Sequence, residues 1–362
     1  MAPELFRAEG GISRILRLYL RALAELAGPQ EELGYVALND LPVTPGRVRE
    51  CAGREVGAAV GCDHGKLGFI SACFRHGWSA GRVLCGHLHQ LSIVWLLSLL
   101  RPGLKYYLVA HGIEVWRPFA FLERRALRGA HRILCISEYT RRQLLRFDPK
   151  LEPGRLVIVP NTFDPGFSTP ADWSVTRPGF NPRILAVSRL TVADRYKGID
   201  TMIEAMPAIR ERLPAAQLRI VGGGNDEGHL RELARELGLA GAVHFTGIIS
   251  DAALRTEYAA CDIFALPSRK EGFGLVYLEA MTYGKPCLAA RAGGAPEVVN
   301  DEVGAVVEYG NIGQIALAVA DMVRHPRDPA AMLRRAGEFS FPRFKDRLAE
   351  VLRDEGARAS AP

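Results

Sequence analysis

Two glutamates eight residues apart, Glu271 and Glu279, bracket the start of the stretch EGFGLVYLEAM. Leu275, Leu278 and Met281 recur at helical spacing, so a helix is expected from about Phe273 to Tyr283. Gly284 stops it as a left-handed cap, and Pro286 stands where a helix could not continue. A helix start offers free N–H groups and a partial positive charge, which suits an anion lying near Gly272 to Leu275. Carboxylates suit hydroxyls, because each accepts several hydrogen bonds in fixed directions. The layout therefore fits a ligand with a sugar, a diphosphate and a ribose. By spacing alone the two glutamates could equally be surface residues of an amphipathic helix. The short apolar run Cys287 to Ala290, a buried strand, and a second tight turn at Gly293 and Gly294 follow, ahead of a short helix from about Ala295.

EGFGLVYLEAM, then GKP, then GGAPEVV, in this order, resemble the donor-site signature of the retaining glycosyltransferases of family 4, also called glycosyl transferases group 1. The resemblance implies an α/β chain of GT-B fold: two Rossmann-like domains with parallel sheets facing an inter-domain cleft. It implies that Glu271 holds hydroxyls of the donor sugar, helped by Gly272 and the backbone N–H groups of Phe273, Gly274 and Leu275. Glu279 holds the nucleotide ribose. Arg189 and Lys197, in SRLTVADRYKGID, match the pair that clamps the donor diphosphate, with Arg195 a competing cation in the same loop. Two cations there would stabilise the departing nucleoside diphosphate, the work a divalent metal does elsewhere. No metal and no cofactor are therefore expected beyond the nucleotide sugar as co-substrate.

The resemblance extends to the first half. Gly10 and Gly11 match a glycine loop facing the acceptor and the donor phosphates, with nearly all of the strand expected ahead of it absent. AHGIEVW places His111 at the end of a strand, Lys105 to Val109, where open α/β sheets bind ligands. By resemblance His111 lies beside the transferred sugar and Glu114 orients the loop. Ser137 either lines the cleft or simply caps the following helix. HFTGII, with Ile248, sets backbone groups against the base. Thr162, after Asn161, stands where the family commonly has Gly. The family implies retention of anomeric configuration. No carboxylate stands out as a nucleophile, so same-face attack assisted by the leaving phosphate is the expected route.

These residues need two layered domains to hold them. Residues 1–165 are expected to form an acceptor-binding domain and 166–340 a donor-binding domain, with a helix at about 341–355 packing back onto the first. The Pro- and Gly-rich run from Pro160 to Pro182 reads as the linker, and GARASAP as a disordered tail. In the second half, strands at Arg183–Val187, Gln217–Val221, Val243–Phe245, Ile263–Ala265 and Cys287–Ala290 alternate with helices, which implies a parallel sheet. Gly222 to Gly224 follow a strand, but Gly228 does not complete G-x-G-x-x-G, which argues against a dehydrogenase.

Length and composition set the outer bounds. A chain of 362 residues, 48% hydrophobic, can bury two cores. MAPELFRAEGG carries no secretory leader, and the apolar run Leu91 to Leu100 is far too short to span a bilayer. Seven cysteines without CxxC spacing suggest reduced thiols and a cytoplasmic location. The net charge of +6 falls wholly in the first half: residues 1–175 hold 22 Lys and Arg against 16 Asp and Glu. Such a half-molecule suits an anionic partner, such as the inner face of the cell membrane or a lipid phosphate, and no nucleic-acid motif accompanies it. Arg14, Arg17 and Arg21 share one helix face that is either solvated or meets a headgroup. The expected activity is transfer of a hexose from UDP-hexose or GDP-mannose to a glycan or lipid-linked acceptor, in cell-surface polysaccharide, exopolysaccharide or glycolipid synthesis. The rival is a nucleotide-sugar-binding protein or partner subunit with little or no turnover.

Overall fold

A computed structural model of the chain describes residues 1–7, 10–167 and 181–353. It divides into two compact units, residues 1–164 with those from Ser340 onward, and Pro165–Phe339. Most of the expected linker, residues 168–180, and the tail GARASAP lie outside the described residues.

The first unit runs α1 (Gly11–Leu26), β1 (Gly34–Ala37), α2 (Pro45–Ala52), β2 (Ala58–Gly61), α3 (Lys66–Gly77), β3 (Arg82–Cys85), α4 (Leu88–Leu100), β4 (Lys105–Ala110), α5 (Phe121–Gly129), β5 (Arg132–Cys135), α6 (Glu138–Phe147) and β6 (Leu156–Ile158). Its strands form two parallel groups, β1–β2 and β3–β4–β5–β6. Residues 40–65, rich in Gly and charge, contain α2 and β2. The small residues of β2, AAVG, earn little burial and give no strong strand signal. The last helix, which becomes α13 (Phe341–Arg353), belongs to this unit. It buries Phe344, Leu348 and Val351 at helical spacing, sets Phe344 edge-on to Tyr19 of α1 with ring centres 4.8 Å apart, and pairs Lys345 with Glu25 at 2.8 Å.

The arginines of α1 each have a partner within the protein. Arg17 donates to the Leu5 carbonyl at 2.7 Å, and Arg21 pairs with Glu25 while lying 4.9 Å from the Phe341 ring centre. Arg14 also has a partner within the protein. Asp40, fully buried, accepts the backbone N–H groups of Leu5, Phe6 and Arg7 at 3.0–3.2 Å. One carboxylate thus fixes the backbone that leads toward Gly10.

The second unit runs β7 (Arg183–Val187), α7 (Ile199–Arg212), β8 (Gln217–Val221), α8 (Glu227–Glu236), β9 (Val243–Gly247), α9 (Asp251–Ala260), β10 (Ile263–Leu266), α10 (Leu275–Met281), β11 (Cys287–Ala290), β12 (Gly304–Val307), α11 (Ile312–Arg324) and α12 (Pro329–Gly337). Its six parallel strands lie in the order β12-β11-β10-β7-β8-β9. β10 and β11 are buried along their whole length, as a parallel sheet covered on both faces requires. The strand order reverses between β7 and β10, and the crevice beyond the C-terminal ends of two such strands is the natural ligand site of an open α/β sheet. α10 begins at Leu275, two residues later than expected. Gly274 is left-handed at φ 95°, so the helix cannot extend back through it.

Candidate active site

The loop leaving β7 and the loop leaving β10 meet above that reversal. The first carries Arg189, Asp194, Arg195, Tyr196 and Lys197; the second carries Ser268, Glu271 and Gly272. Backbone and side-chain hydrogen bonds tie them: Arg269 N–H donates to the Tyr196 carbonyl at 2.7 Å, and Ser268 Oγ to the Lys197 carbonyl at 3.3 Å. Lys197 Nζ then lies 2.7 Å from Glu271 Oε2, both largely buried. Burial lowers the lysine pKa, but the facing carboxylate more than offsets this and leaves it raised. Lys197 is therefore charged at neutral pH.

Asp194, nearly buried, organises the rest of the cationic loop. It accepts from Arg189 Nη2 at 2.8 Å, Thr191 Oγ1 at 2.6 Å and the Tyr196 hydroxyl at 3.2 Å. Arg189 stays mostly exposed beyond this contact, and Lys197 Nζ sits 5.6 Å from the Tyr196 ring centre. Arg195 takes a different direction: its guanidinium is engaged by both oxygens of Asp226 at 2.7 and 2.5 Å, at the head of α8. Its charge is committed to holding the loop. Leu190 N–H bonds the Gly223 carbonyl at 3.0 Å, so the glycine run 222–224 braces the same loop.

Glu271 is held from a third direction. Gly294 N–H donates to the Glu271 carbonyl at 2.7 Å. Gly293 has φ 63°, and a Cβ there would overlap that carbonyl oxygen. The glycine turn after β11 is therefore a clasp on the Glu271 backbone. Glu279, inside α10, is buried, and its Oε2 accepts the Tyr258 hydroxyl of α9 at 2.8 Å. Ile248, just past β9, is one of the most exposed apolar side chains of the unit, beside Gly223.

In the first unit, His111 follows β4 and is almost fully buried. Its Nε2 is 2.8 Å from the Gly86 carbonyl, which can only accept, so that nitrogen carries the hydrogen and Nδ1 is left as an acceptor. Burial pushes its pKa down to about 4, although the Gly86 bond opposes this. The ring is neutral near pH 7. Glu114 Oε1 accepts the His111 backbone N–H at 2.5 Å and so fixes the turn; burial raises its pKa, against the pull of His87. Ser137 caps α6: its Oγ accepts Thr140 N–H at 3.1 Å and donates to Thr140 Oγ1 at 2.9 Å. Gly10 caps α1 without a side-chain bond, and a Cβ on Gly10 or Gly11 would meet nothing within 4 Å.

Asp194, Tyr196, Asp226, Tyr258 and Asp40 were not singled out by sequence reasoning. DRYKG does place an acid and a phenol beside the candidate cations, and that local signal could have found the first two. Nothing in the sequence links Tyr258 to Glu279 or Asp40 to Leu5.

Residues 172–339 match the family described as glycosyl transferases group 1, and residues 53–167 match glycosyltransferase family 4. A GDP-mannose-dependent alpha-(1-6)-phosphatidylinositol monomannoside mannosyltransferase from Mycobacterium tuberculosis is 34% identical over 307 residues, covering 75% of this chain and 78% of that protein. Another protein, from Corynebacterium glutamicum, named as a GDP-mannose-dependent monoacylated alpha-(1-6)-phosphatidylinositol monomannoside mannosyltransferase, is 38% identical over 205 residues, 52% of each chain. Among solved structures, Anabaena HepE in complex with UDP and glucose aligns with a TM-score of 0.74 at 20% identity, covering 97% of this chain and 98% of that one. With these matches and the paired Rossmann-like units, the chain belongs to glycosyltransferase family 4, the glycosyl transferases group 1, and has the GT-B fold.

Proposed function

We propose that this glycosyltransferase moves mannose from GDP-mannose, with retention of configuration, to a hydroxyl of a mannosylated or inositol-containing glycolipid. The observation that carries the reading is the Lys197–Glu271 pair at the strand-order reversal of the second unit, with Arg189 on the same loop. A diphosphate at the start of α10 would meet the two cations, and their charge would stabilise the pyrophosphate as the bond to the sugar breaks. Glu271 would take sugar hydroxyls and Glu279 the ribose. The base would lie toward Gly247 and Ile248. No divalent ion is needed for leaving-group stabilisation in this scheme.

His111 is neutral in the first unit, so its proposed part is to accept a hydrogen bond from a hydroxyl through Nδ1. It does not act as an acid at neutral pH. The choice of mannose and of a lipid acceptor rests on the relatives named above, and peripheral contact with an anionic membrane on the basic first half. No described helix is long and apolar enough to cross a membrane.

Incubating the protein with labelled GDP-mannose or UDP-glucose, with and without a lipid extract, tests the reading. Label from GDP-mannose should enter the lipid phase and do so in the presence of EDTA. Label from UDP-glucose alone entering that phase, or none from either, overturns the donor assignment. Melting shifts with GDP, UDP and ADP check it independently, because a ligand that binds only the native form raises its melting point.

A further inference from the structure

At the C-terminal edge of the second unit's sheet, four loop cations are each engaged by a carboxylate. Arg189 pairs with Asp194, Arg195 with Asp226, Lys197 with Glu271, and Arg291 with Glu308. Arg269 and Lys270 are different. Both are exposed, they immediately precede Glu271, and neither has a carboxylate partner among the described residues.

Arg269 is nonetheless held in place. Its backbone N–H donates to the Tyr196 carbonyl at 2.7 Å, and its guanidinium carbon lies 5.5 Å from the ring centre of Tyr309, just past β12. The turn that carries Tyr309 is fixed in its own right. Glu308 takes Arg291 at 2.9 Å and gives its N–H to Gln314 Oε1 at 2.9 Å, and Asn311 N–H returns to the Glu308 carbonyl at 3.1 Å. In the strand order β12-β11-β10, the stack of Arg269 on Tyr309 reaches from the exit of β10 to that of β12, past the glycine turn that holds the Glu271 backbone. The ring face orders a guanidinium whose five N–H donors meet no protein acceptor among the described residues.

A pre-ordered, unpaired fork of donors suits an anion with two free oxygens. The donor read above does not supply that anion. Its pyrophosphate meets Arg189, Lys197 and the start of α10, and mannose offers only hydroxyls, which fall to Glu271. What remains is the molecule whose hydroxyl attacks. It must lie against the sugar that Glu271 holds, and Lys270 and Arg269 are the next two residues along the chain.

We propose, resting on the reading of transfer to an inositol glycolipid, that Arg269 determines acceptor specificity by taking the phosphodiester of the acceptor. Tyr309 orders the guanidinium, and Lys270 adds its charge. A phosphodiester carries one negative charge and two free oxygens, the bidentate match of a guanidinium. A carboxylate on an acidic donor sugar offers the same pair of oxygens, so the two sources need separate arms.

The test uses the full chain as wild type, Arg269→Met, Arg269→Lys and Tyr309→Leu. Two soluble acceptors are compared: glycerophosphoinositol monomannoside, and the same inositol mannoside without its phosphate. With GDP-mannose, wild type should favour the phosphate-bearing acceptor. Arg269→Met should raise KM for it at least ~10-fold, the scale of one charged hydrogen-bonded contact, and change KM for the neutral acceptor less than ~2-fold. Donor KM and the melting shift with GDP should stay as in wild type. Arg269→Lys and Tyr309→Leu should fall between, since one keeps the charge without the fork and the other the fork without its platform. Equal losses on both acceptors, or none on either, overturn the proposal. So does a loss confined to reactions with UDP-glucuronate, which would put the anion on the donor. Melting shifts with glycerophosphoinositol against myo-inositol, recorded with GDP present, read the same contact without glycosyl transfer. A phosphate-dependent shift that Arg269→Met abolishes supports the assignment even where mannose is not the sugar moved, and its absence from wild type overturns it.

Discussion

Lys197 Nζ and Glu271 Oε2 are 2.7 Å apart although 74 residues separate them in the chain. The contact exists because β7 and β10 are neighbours at the one place where the strand order changes direction, so the loops leaving them share a crevice. Each side chain neutralises the other in a largely buried setting, where a lone charge would be costly. A bound donor would replace one ion pair with two better-matched interactions, phosphate on the lysine and hydroxyls on the glutamate.

Lys197→Ala and Glu271→Ala should each lower kcat by roughly 100-fold or more, the scale of losing one group that stabilises charge in the transition state. Since each leaves the other's charge unpaired, Lys197→Met with Glu271→Gln should fold at least as well as either single variant. Steady-state kinetics with circular dichroism checks this. Near-normal turnover in both single variants would remove the assignment.

Glu279 is presented by Tyr258 through a 2.8 Å hydrogen bond. Tyr258→Phe keeps the ring and removes that bond, so donor KM should rise several-fold, equivalent to about 1 kcal/mol, with kcat little changed. Glu279→Ala should raise it further. An effect of Tyr258→Phe on kcat alone would point to a role other than holding the nucleotide.

Asp40 holds three backbone N–H groups in the interior. Asp40→Ala leaves them unsatisfied, so the loss should reach about 3 kcal/mol or more in chemical denaturation. Asp40→Asn should recover part of it, because the amide oxygen still accepts. A loss below about 1 kcal/mol would mean the loop finds other acceptors.

Acid should loosen the first unit before the second. His111 and His87 each have a pKa of about 4 in the folded state against an ordinary 6.5, burial being the main cause in both. The unfolded chain therefore binds more protons than the folded one between those values. Stability is full above about pH 6.5 and falls as pH drops toward 4, by up to roughly 3 kcal/mol for one such buried group. His111→Gln should flatten that slope in melting curves recorded from pH 7 to 4.5; an unchanged slope would show that other groups govern it.

Much of this was readable from the residues. Arg183–Val187, Gln217–Val221 and Cys287–Ala290 are strands with the expected bounds, and Cys287–Ala290 is apolar throughout because it is buried along its whole length. What escaped notice depends on small or partnered residues. β2 is four small side chains, β12 is GAVV, and neither announces itself by periodicity. Arg195 competes with Lys197 in the sequence, and only the fold shows that the first is engaged by Asp226 and the second by Glu271. The bond from Ser137 to Thr140 that caps α6 is likewise reached only through the fold.

The Glu271 backbone is clasped by the glycine turn after β11, and its side chain by the loop after β7, while it rides on the loop after β10. Three strand exits are knotted at one residue. Such a knot leaves little to be ordered when a nucleotide sugar arrives, so few degrees of freedom are frozen out on capture. A lineage built on it could exchange one sugar recipient for another by altering the first unit, while the grip on the donor stayed as it was.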